Sequence, residues 1–304
     1  MRVKVLGLAA LVVLLAACGS DSGGSGKASS AGGGAQLDTL QKGKLKVAVE
    51  SYMPYTAVRG GKIVGLDGEI IEHIADRLGL EVEPQLTDFN GMLGSVQSHR
   101  VDITVGGVAW TAERQKQGLF TDPPYYSPPA MGVQSGKRYS TIEDLRNQRL
   151  GTVTGYVWVD SIQAVPGAKL GAYPNALGVF DDLASGRLDV GFLDPLLIVY
   201  YQKQRPDQHI VTEYLTPPSA QQVKEHPEYA FFAPYQTSFY LPRQAPKLEA
   251  AISKEIRAMY ADGEMARLIK KWGGEPEKFL TPSKDTAAAR RGVDRPSDWT
   301  APSI

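Results

Sequence analysis

Between Leu45 and Gly106 short apolar runs alternate with helical stripes, and this alternation narrows the fold more than anything else in the sequence. Leu45 to Val49 (LKVAV) is a buried-strand pattern that ends at Glu50-Ser51-Tyr52-Met53-Pro54-Tyr55, where proline and aromatics mark a loop at a strand end. Lys62 to Val64 precedes Gly65-Leu66-Asp67-Gly68. From Glu69 to Leu78 the residues Ile70, Ile71, Ile74 and Leu78 share one helical face, and Gly79 stops the helix. Leu80 to Leu86 alternates as a strand. Asp88-Phe89-Asn90-Gly91 turns into a short helix through Met92, Leu93 and Val96, and Asp102 to Gly106 is the next strand. A β-α-β-α-β order of this kind requires a largely parallel sheet with helices on both faces.

A second α/β unit follows Tyr125-Tyr126-Ser127-Pro128-Pro129. Ala130 to Val133 reads as a strand, Ser140 to Asn147 as a short capped helix, and Leu150 to Val153 as a strand. Thr154 to Trp158 is a loop feeding a helix through Ile162, and Tyr173 begins a short segment. Leu177 to Ser185 is a helix ended by Gly186, Val190 to Leu193 a strand closing on Asp194-Pro195, and Leu196 to Gln202 another helix. Gln204 to Glu228 is polar and contains proline, which predicts mostly loop. Thr237 to Leu241 is a strand. Leu248, Ile252, Ile256 and Tyr260 mark a long helix that breaks at Asp262-Gly263 and resumes through Met265, Leu268, Ile269 and Trp272. Beyond about Pro282 the polar tail is expected to pack loosely or not at all.

With 42% apolar residues in 304, the chain can bury a sizeable core. Thirty-three basic and 33 acidic side chains cancel, which argues against nucleic acid as a partner. Four scattered histidines (His73, His99, His209, His226) and a single cysteine have no metal-ligand spacing, so neither a metal nor a cofactor is expected. The start of the chain is more telling. Arg2 and Lys4 precede an apolar run, Val5 to Leu15, that is too short for a comfortable membrane span. Leu15-Ala16-Ala17-Cys18 then looks like a bacterial lipoprotein signal, with cleavage before Cys18 and lipid on that residue. The Gly-, Ser- and Ala-rich stretch up to Gln36 lacks the apolar bulk to offset ordering entropy, which predicts a flexible tether.

Three loops at strand ends carry candidate chemistry. In Asp102 to Tyr126 a strand leads to Gly106 and Gly107, and Thr111 fits a helix N-cap with Arg114 in the first turn. An arginine is electrostatically misplaced there unless it is a plain surface charge or an anion docks beside it. A guanidinium with free backbone N–H groups would hold a carboxylate by a bidentate, charge-assisted pair. The second loop is Thr154 to Val157 and the third holds Asp194. Ligands of open α/β sheets collect beyond the carboxyl ends of strands. A cleft presenting Arg114 from one unit and Asp194 from the other matches a zwitterion. Leaving either charge buried and unpaired costs roughly 3–5 kcal/mol, which makes recognition of an amino-acid head specific.

With these residues in view, the chain resembles the amino-acid-binding solute-binding proteins (family 3) of ABC importers. The resemblance runs from about Leu45 to Gly274. It is carried by Gly65-Leu66-Asp67-Gly68-Glu69-Ile70, Asp88-Phe89-Asn90-Gly91-Met92-Leu93, Val101-Asp102-Ile103, and Gly107-x-Ala109-x-Thr111-x-x-Arg114. Phe120-Thr121-Asp122-Pro123, Glu143-Asp144-Leu145, Gly186-Arg187-Leu188-Asp189 and Asp262-Gly263 continue it. It implies a two-lobed type II periplasmic-binding-protein fold with two crossing hinge segments, near Tyr125 to Pro129 and Ala233 to Gln236. Lobe 1 would comprise residues 37–128 and 235–281, and lobe 2 residues 129–234, after a signal peptide (1–17) and tether (18–36) and before a C-terminal extension (282–304).

The same resemblance implies that Arg114 pairs with the ligand carboxylate, that backbone N–H groups of Thr154, Gly155, Tyr156 and Val157 assist it, and that Asp194 takes the ammonium. Tyr52 and Phe89 would line the side-chain pocket, Phe89 being otherwise simply core. Gly107 and Ala109 belong to the carboxylate loop, although Ala109 lacks the hydroxyl expected there. Tyr156 stands where a small or hydroxyl residue is usual and fills more of the cleft. Glu50 either meets a cationic ligand side chain or is solvated, and Trp110 and Trp158 read as packing residues. The expectation is a monomeric, lipid-anchored, extracytoplasmic protein that captures an α-amino acid, or a close zwitterionic analogue, and passes it to a membrane permease. A secreted dehydratase on the same fold and a ligand-sensing receptor subunit are the alternatives.

Overall fold

The computed structural model describes residues 37–304. The signal segment, Cys18 and the tether expected before Leu37 lie outside the described residues.

The first sheet starts with β1 (Lys44–Val49), which is followed by a small hairpin of β2 (Ala57–Arg59) and β3 (Lys62–Val64). Helix α1 (Leu66–Leu78) buries Ile70, Ile71 and Ile74 and ends on Gly79 in the left-handed conformation. Strand β4 (Glu81–Leu86) carries Pro84, tolerated because β4 is an edge strand. Asp88 caps α2 (Phe89–Gln97), its side chain accepting the Gly91 N–H. Strand β5 is only Ile103–Thr104, shorter than the apolar run suggests. Asp102, just before it, still donates its N–H to Lys46 O of β1, and its carboxylate accepts the Leu40 and Lys46 N–H groups. Then come α3 (Ala112–Gln115) and β6 (Leu119–Phe120).

Strand β7 (Tyr125–Ser127) carries the chain into a second sheet. It contains β8 (Ala130–Gln134), β9 (Arg149–Val153), α4 (Trp158–Gln163), β10 (Lys169–Tyr173), α5 (Ala176–Ala184), β11 (Val190–Phe192), α6 (Pro195–Gln204), β12 (Ile210–Tyr214) and α7 (Ala220–Glu225). Several of these differ from the sequence expectation. The stretch 204–228 is not mostly loop, since β12 lines the sheet edge and Ser219 closes a capping box on α7. Tyr173 ends a strand rather than beginning a segment. The helix expected over Ser140 to Asn147 shrinks to a single 3-10 turn, Glu143–Leu145, because the Asp144 carboxylate draws in the Ser140 and Thr141 N–H groups and the Thr141 hydroxyl.

Strand β13 (Tyr235–Thr237) returns antiparallel to β7. The chain completes the first sheet with β14 (Tyr240–Leu241), then α8 (Pro246–Ala261), α9 (Glu264–Lys271), α10 (Pro276–Phe279) and α11 (Lys284–Ala288). The first sheet has the order β4-β1-β5-β14-β6 and the second β10-β9-β11-β8-β12. Pairing is parallel among β4, β1 and β5 and among β10, β9 and β11, and antiparallel where β8, β12 and β14 join. The largely parallel expectation therefore holds for the part of each sheet built from βαβ units. The β7–β13 ribbon connects the two sheets.

The tail contradicts the expectation of loose packing. Arg290 is fully buried, Trp299 is 9% exposed, and Trp299 and Ala301 pack on Tyr126 of β7. Short polar segments can be held this way when their side chains complete backbone hydrogen bonds of a neighbouring element.

Candidate functional site

The loop after β5 is shaped by a carboxylate behind it. Asp67, in the first turn of α1, accepts the N–H groups of Gly106 at 2.8 Å and Gly107 at 2.9 Å through Oδ2. It is wholly buried, and burial pushes its pKa up to about 6, against the pull of those two donors. Its Oδ1 and the Tyr125 hydroxyl have no hydrogen-bond partner among the described residues. Thr111 caps α3 through its hydroxyl, which accepts the Arg114 N–H at 2.9 Å. That cap aims the Arg114 side chain into the space between the sheets. Its guanidinium donates to the carbonyls of Ala109 and Gly155, both at 2.9 Å, and lies 5.3 Å from the Phe89 ring centroid. Burial lowers the Arg114 pKa to about 10, which leaves it cationic at neutral pH.

Asp194 faces this loop from the end of β11. It is 3% exposed, and its Oδ2 accepts the Tyr52 hydroxyl at 2.7 Å while Oδ1 accepts that of Tyr235. Burial raises its pKa to about 6, with the two phenols opposing the shift. Gly107 has φ +72°, and a Cβ there would stand 3.3 Å from Asp194 Oδ2 and 3.5 Å from Tyr52 Cε1. The backbone angle favours glycine, and a side chain there would press on the Asp194 carboxylate.

Aromatic rings fill the rest. Tyr156 meets Phe89 edge-on at 4.7 Å and Tyr52 at 6.2 Å, and Trp158 sits 6.0 Å from Tyr156 and 5.9 Å from Tyr235. The Tyr156 hydroxyl donates to Glu50 Oε1 at 3.2 Å. Glu50 is 8% exposed, and burial raises its pKa to about 7. Phe89, Gly107, Ala109, Arg114, Tyr156, Val157, Trp158, Asp194 and Tyr235 enclose only about 10 Å³, room for one water at most. On the other side of Glu50 and Tyr52 a groove of about 610 Å³ opens between Asp88, Leu177 and Tyr200.

The structure thus brings Arg114, Asp194, Gly107, Ala109, Tyr156, Val157, Phe89, Tyr52 and Glu50 to one cleft. It does not bring Thr154 there. Thr154 is exposed and its N–H is bonded to Tyr173 O, while the Tyr156 N–H is bonded to Val153 O. Of the four amides expected to face a carboxylate, those of Gly155 and Val157 alone lack a partner among the described residues. Gly155 instead presents its carbonyl to Arg114. Glu50 is not solvated, and the Trp158 ring forms cleft wall while its Nε1 is held by Phe231 O at 3.0 Å. Asp67, Tyr55 and Tyr235 were missed. Asp67 was legible as an acid in a first helical turn, but nothing local ties it to glycines 39 and 40 residues on. Tyr55 sits in a loop by sequence, yet its ring is buried and its hydroxyl accepts the Leu196 N–H across the two sheets at 3.4 Å.

Two sheets joined by a two-strand ribbon, with a cationic and an anionic side chain both lining the space between them, define a bilobal protein with a cleft. The model of bacterial extracellular solute-binding proteins, family 3, matches residues 45–275, and the chain belongs to that family. Its fold is the two-lobed type II periplasmic-binding-protein fold. The arginine-binding extracellular protein ArtP of Bacillus subtilis (strain 168) is 24% identical over 270 residues, 87% of this chain and 94% of ArtP. The L-cystine-binding protein TcyJ of Escherichia coli (strain K12) is 26% identical over 239 residues, 77% of this chain and 84% of TcyJ. Among solved structures, an ancestral arginine-binding protein bound to arginine superposes with a TM-score of 0.66 at 27% identity, covering 77% of this chain and 99% of that one.

Proposed function

We propose that this protein captures an α-amino acid, or a close zwitterionic analogue, and hands it to the permease of an ABC importer. The observation that carries this reading is the pair of opposite charges, Arg114 in α3 beyond β5 and Asp194 beyond β11, which belong to different sheets and line one space. The ligand carboxylate would pair with Arg114, with the free Gly155 and Val157 N–H groups in support. Its ammonium would pair with Asp194 beside the Tyr52 and Tyr235 hydroxyls. Relatives named for binding arginine and cystine support the class. Entry requires the lobes to swing apart about the β7–β13 ribbon, and a ligand that touches both lobes shifts that equilibrium by its differential affinity for the closed form. Lipid on Cys18 and a tether up to Gln36 would keep the folded body at the outer face of the cell membrane, working as a monomer. Calorimetric titration against the common amino acids tests the reading, with Arg114→Ala as control. Binding of at least one, abolished by the substitution, is expected. Binding of none, or an indifferent variant, would overturn it.

One observation favours a second reading. Glu50 is a buried carboxyl with a pKa near 7, the range suited to a general acid or base, so a dehydratase-type activity on this fold is the alternative. Turnover of a cyclic carboxylic acid by the purified protein, lost in Glu50→Gln, would put that reading first.

A further inference from the structure

We infer that the segment after Pro282 positions the ligand-binding loop, holding that loop and both strands of the connecting ribbon against the first lobe from behind. The segment lies beyond the residues the family model matches. Its centre is Arg290, a fully buried guanidinium that donates to the carbonyls of Thr121 at 2.6 Å and Phe120 at 3.0 Å and pairs with Asp294. Asp294 in turn accepts the Trp110 indole N–H at 3.2 Å, and Arg290 lies 5.8 Å from the Trp110 ring centroid.

Trp110 is the neighbour of Ala109, whose carbonyl holds Arg114, and its backbone N–H donates to Gln236 O of β13 at 2.9 Å. The side chain of that same Gln236 donates to Thr286 O at 2.6 Å, and the Thr286 hydroxyl donates to Pro234 O at 2.9 Å. On the other ribbon strand the Tyr126 hydroxyl donates to Pro302 O at 2.6 Å. Arg295 and Trp299 fasten the segment to Asp122 of the first lobe. No hydrogen bond runs from residues 283–304 to residues 130–232. The segment therefore grips the Arg114 loop, both crossings and lobe 1, and leaves lobe 2 to move. A buried charge that costs desolvation and is spent on two backbone carbonyls of one lobe fixes geometry more than it adds stability.

The test uses the full chain with Trp110→Phe and Tyr126→Phe, singly and together, each removing one hydrogen bond and keeping a ring. Amide hydrogen exchange is read alongside titration of the tightest-binding amino acid. The double variant is expected to raise exchange across residues 105–115 and in the ribbon while strands of the second sheet stay protected, and to weaken binding by about fivefold. Exchange that rises uniformly, or not at all, overturns the inference. So does unchanged affinity in a variant whose loop exchanges faster. The inference depends on the proposed amino-acid capture only for the affinity arm. If the unaltered protein binds no amino acid, that reading falls while the exchange pattern still decides this one. Should the double variant fail to fold, the single Tyr126→Phe variant is judged by the same exchange pattern.

Discussion

The Tyr156 hydroxyl of the second lobe donates across the cleft to Glu50 of the first, and the phenol ring occupies the space between Phe89 and Tyr52. Shortening this side chain to serine removes the ring and reopens room beside Arg114 and Asp194. Tyr156→Ser is expected to lower stability by about 3 kcal/mol, the usual cost of truncating a buried aromatic. It is also expected to shift ligand preference toward bulkier amino acids. Denaturant unfolding reads the first effect and competitive titration of a small against a large amino acid reads the second. An unchanged preference would mean that Tyr156 swings out of the way and does not set ligand size.

Stability should fall as pH rises through the neutral range. Glu50, Asp67 and Asp194 are all raised in the folded protein, Glu50 to about 7 and the two aspartates to about 6, because burial disfavours their charged forms. Between the ordinary carboxyl pKa and these values the unfolded chain has lost its protons while the folded one keeps them, so the folded state binds more protons and raising the pH destabilises it. Their contribution is complete below about pH 4 and is lost by about pH 7. Glu50→Gln should shrink the stability difference between about pH 5 and pH 8 by about 2 kcal/mol. Thermal unfolding of protein and variant across that range checks it. Amino-acid affinity should run the other way, weakening below about pH 6, since Asp194 must be ionised to hold an ammonium.

Asp67 has no contact with the cleft space, yet it holds the Gly106 and Gly107 amides from behind. Asp67→Ala strands the buried Gly106 N–H and the half-buried Gly107 N–H and should cost about 2–4 kcal/mol in stability, with ligand affinity falling as the Gly107 loop loosens. Asp67→Asn, uncharged and retaining one acceptor oxygen, should lose less of both. Equal losses in the two variants would show that the aspartate acts through its charge alone.

What the sequence made legible follows from where information is local. The Thr111 cap and the Arg114 turn are written within four residues, and the structure contains them as expected. The strands β1, β9 and β11 are apolar because they are central, and their patterns were plain. Strands β10 and β12 are edges, with residues half-exposed along most of their length, so neither alternation nor an apolar run announces them. The tail was opaque for a related reason. Its anchors include two arginines, a threonine and backbone carbonyls whose partners lie about 50 to 175 residues away, and polar composition alone reads as solvated. The engagement of the Thr154 and Tyr156 amides likewise depends on pairing geometry that residue types do not encode.

One close contact bears on how the lobes meet. Gly155 of the second lobe meets Asn90 of the first so tightly that a Cβ on Gly155 would stand 2.3 Å from Asn90 Oδ1, and its φ of +85° already disfavours any side chain. Gly155→Ala should fold with a loss of about 1 kcal/mol from the backbone angle, and its lobes should meet fully only if the exposed Asn90 amide turns away. Small-angle scattering with saturating amino acid reads any shortfall in closure as a radius of gyration above that of the unaltered protein. Calorimetry reads it as affinity reduced by about tenfold or more, the share of binding that needs both lobes. Removing the opposing amide distinguishes a steric block from a damaged loop. Asn90→Ala combined with Gly155→Ala should recover closure and most of the affinity if contact between these two residues is the obstacle, and neither if the alanine has distorted residues 154–157.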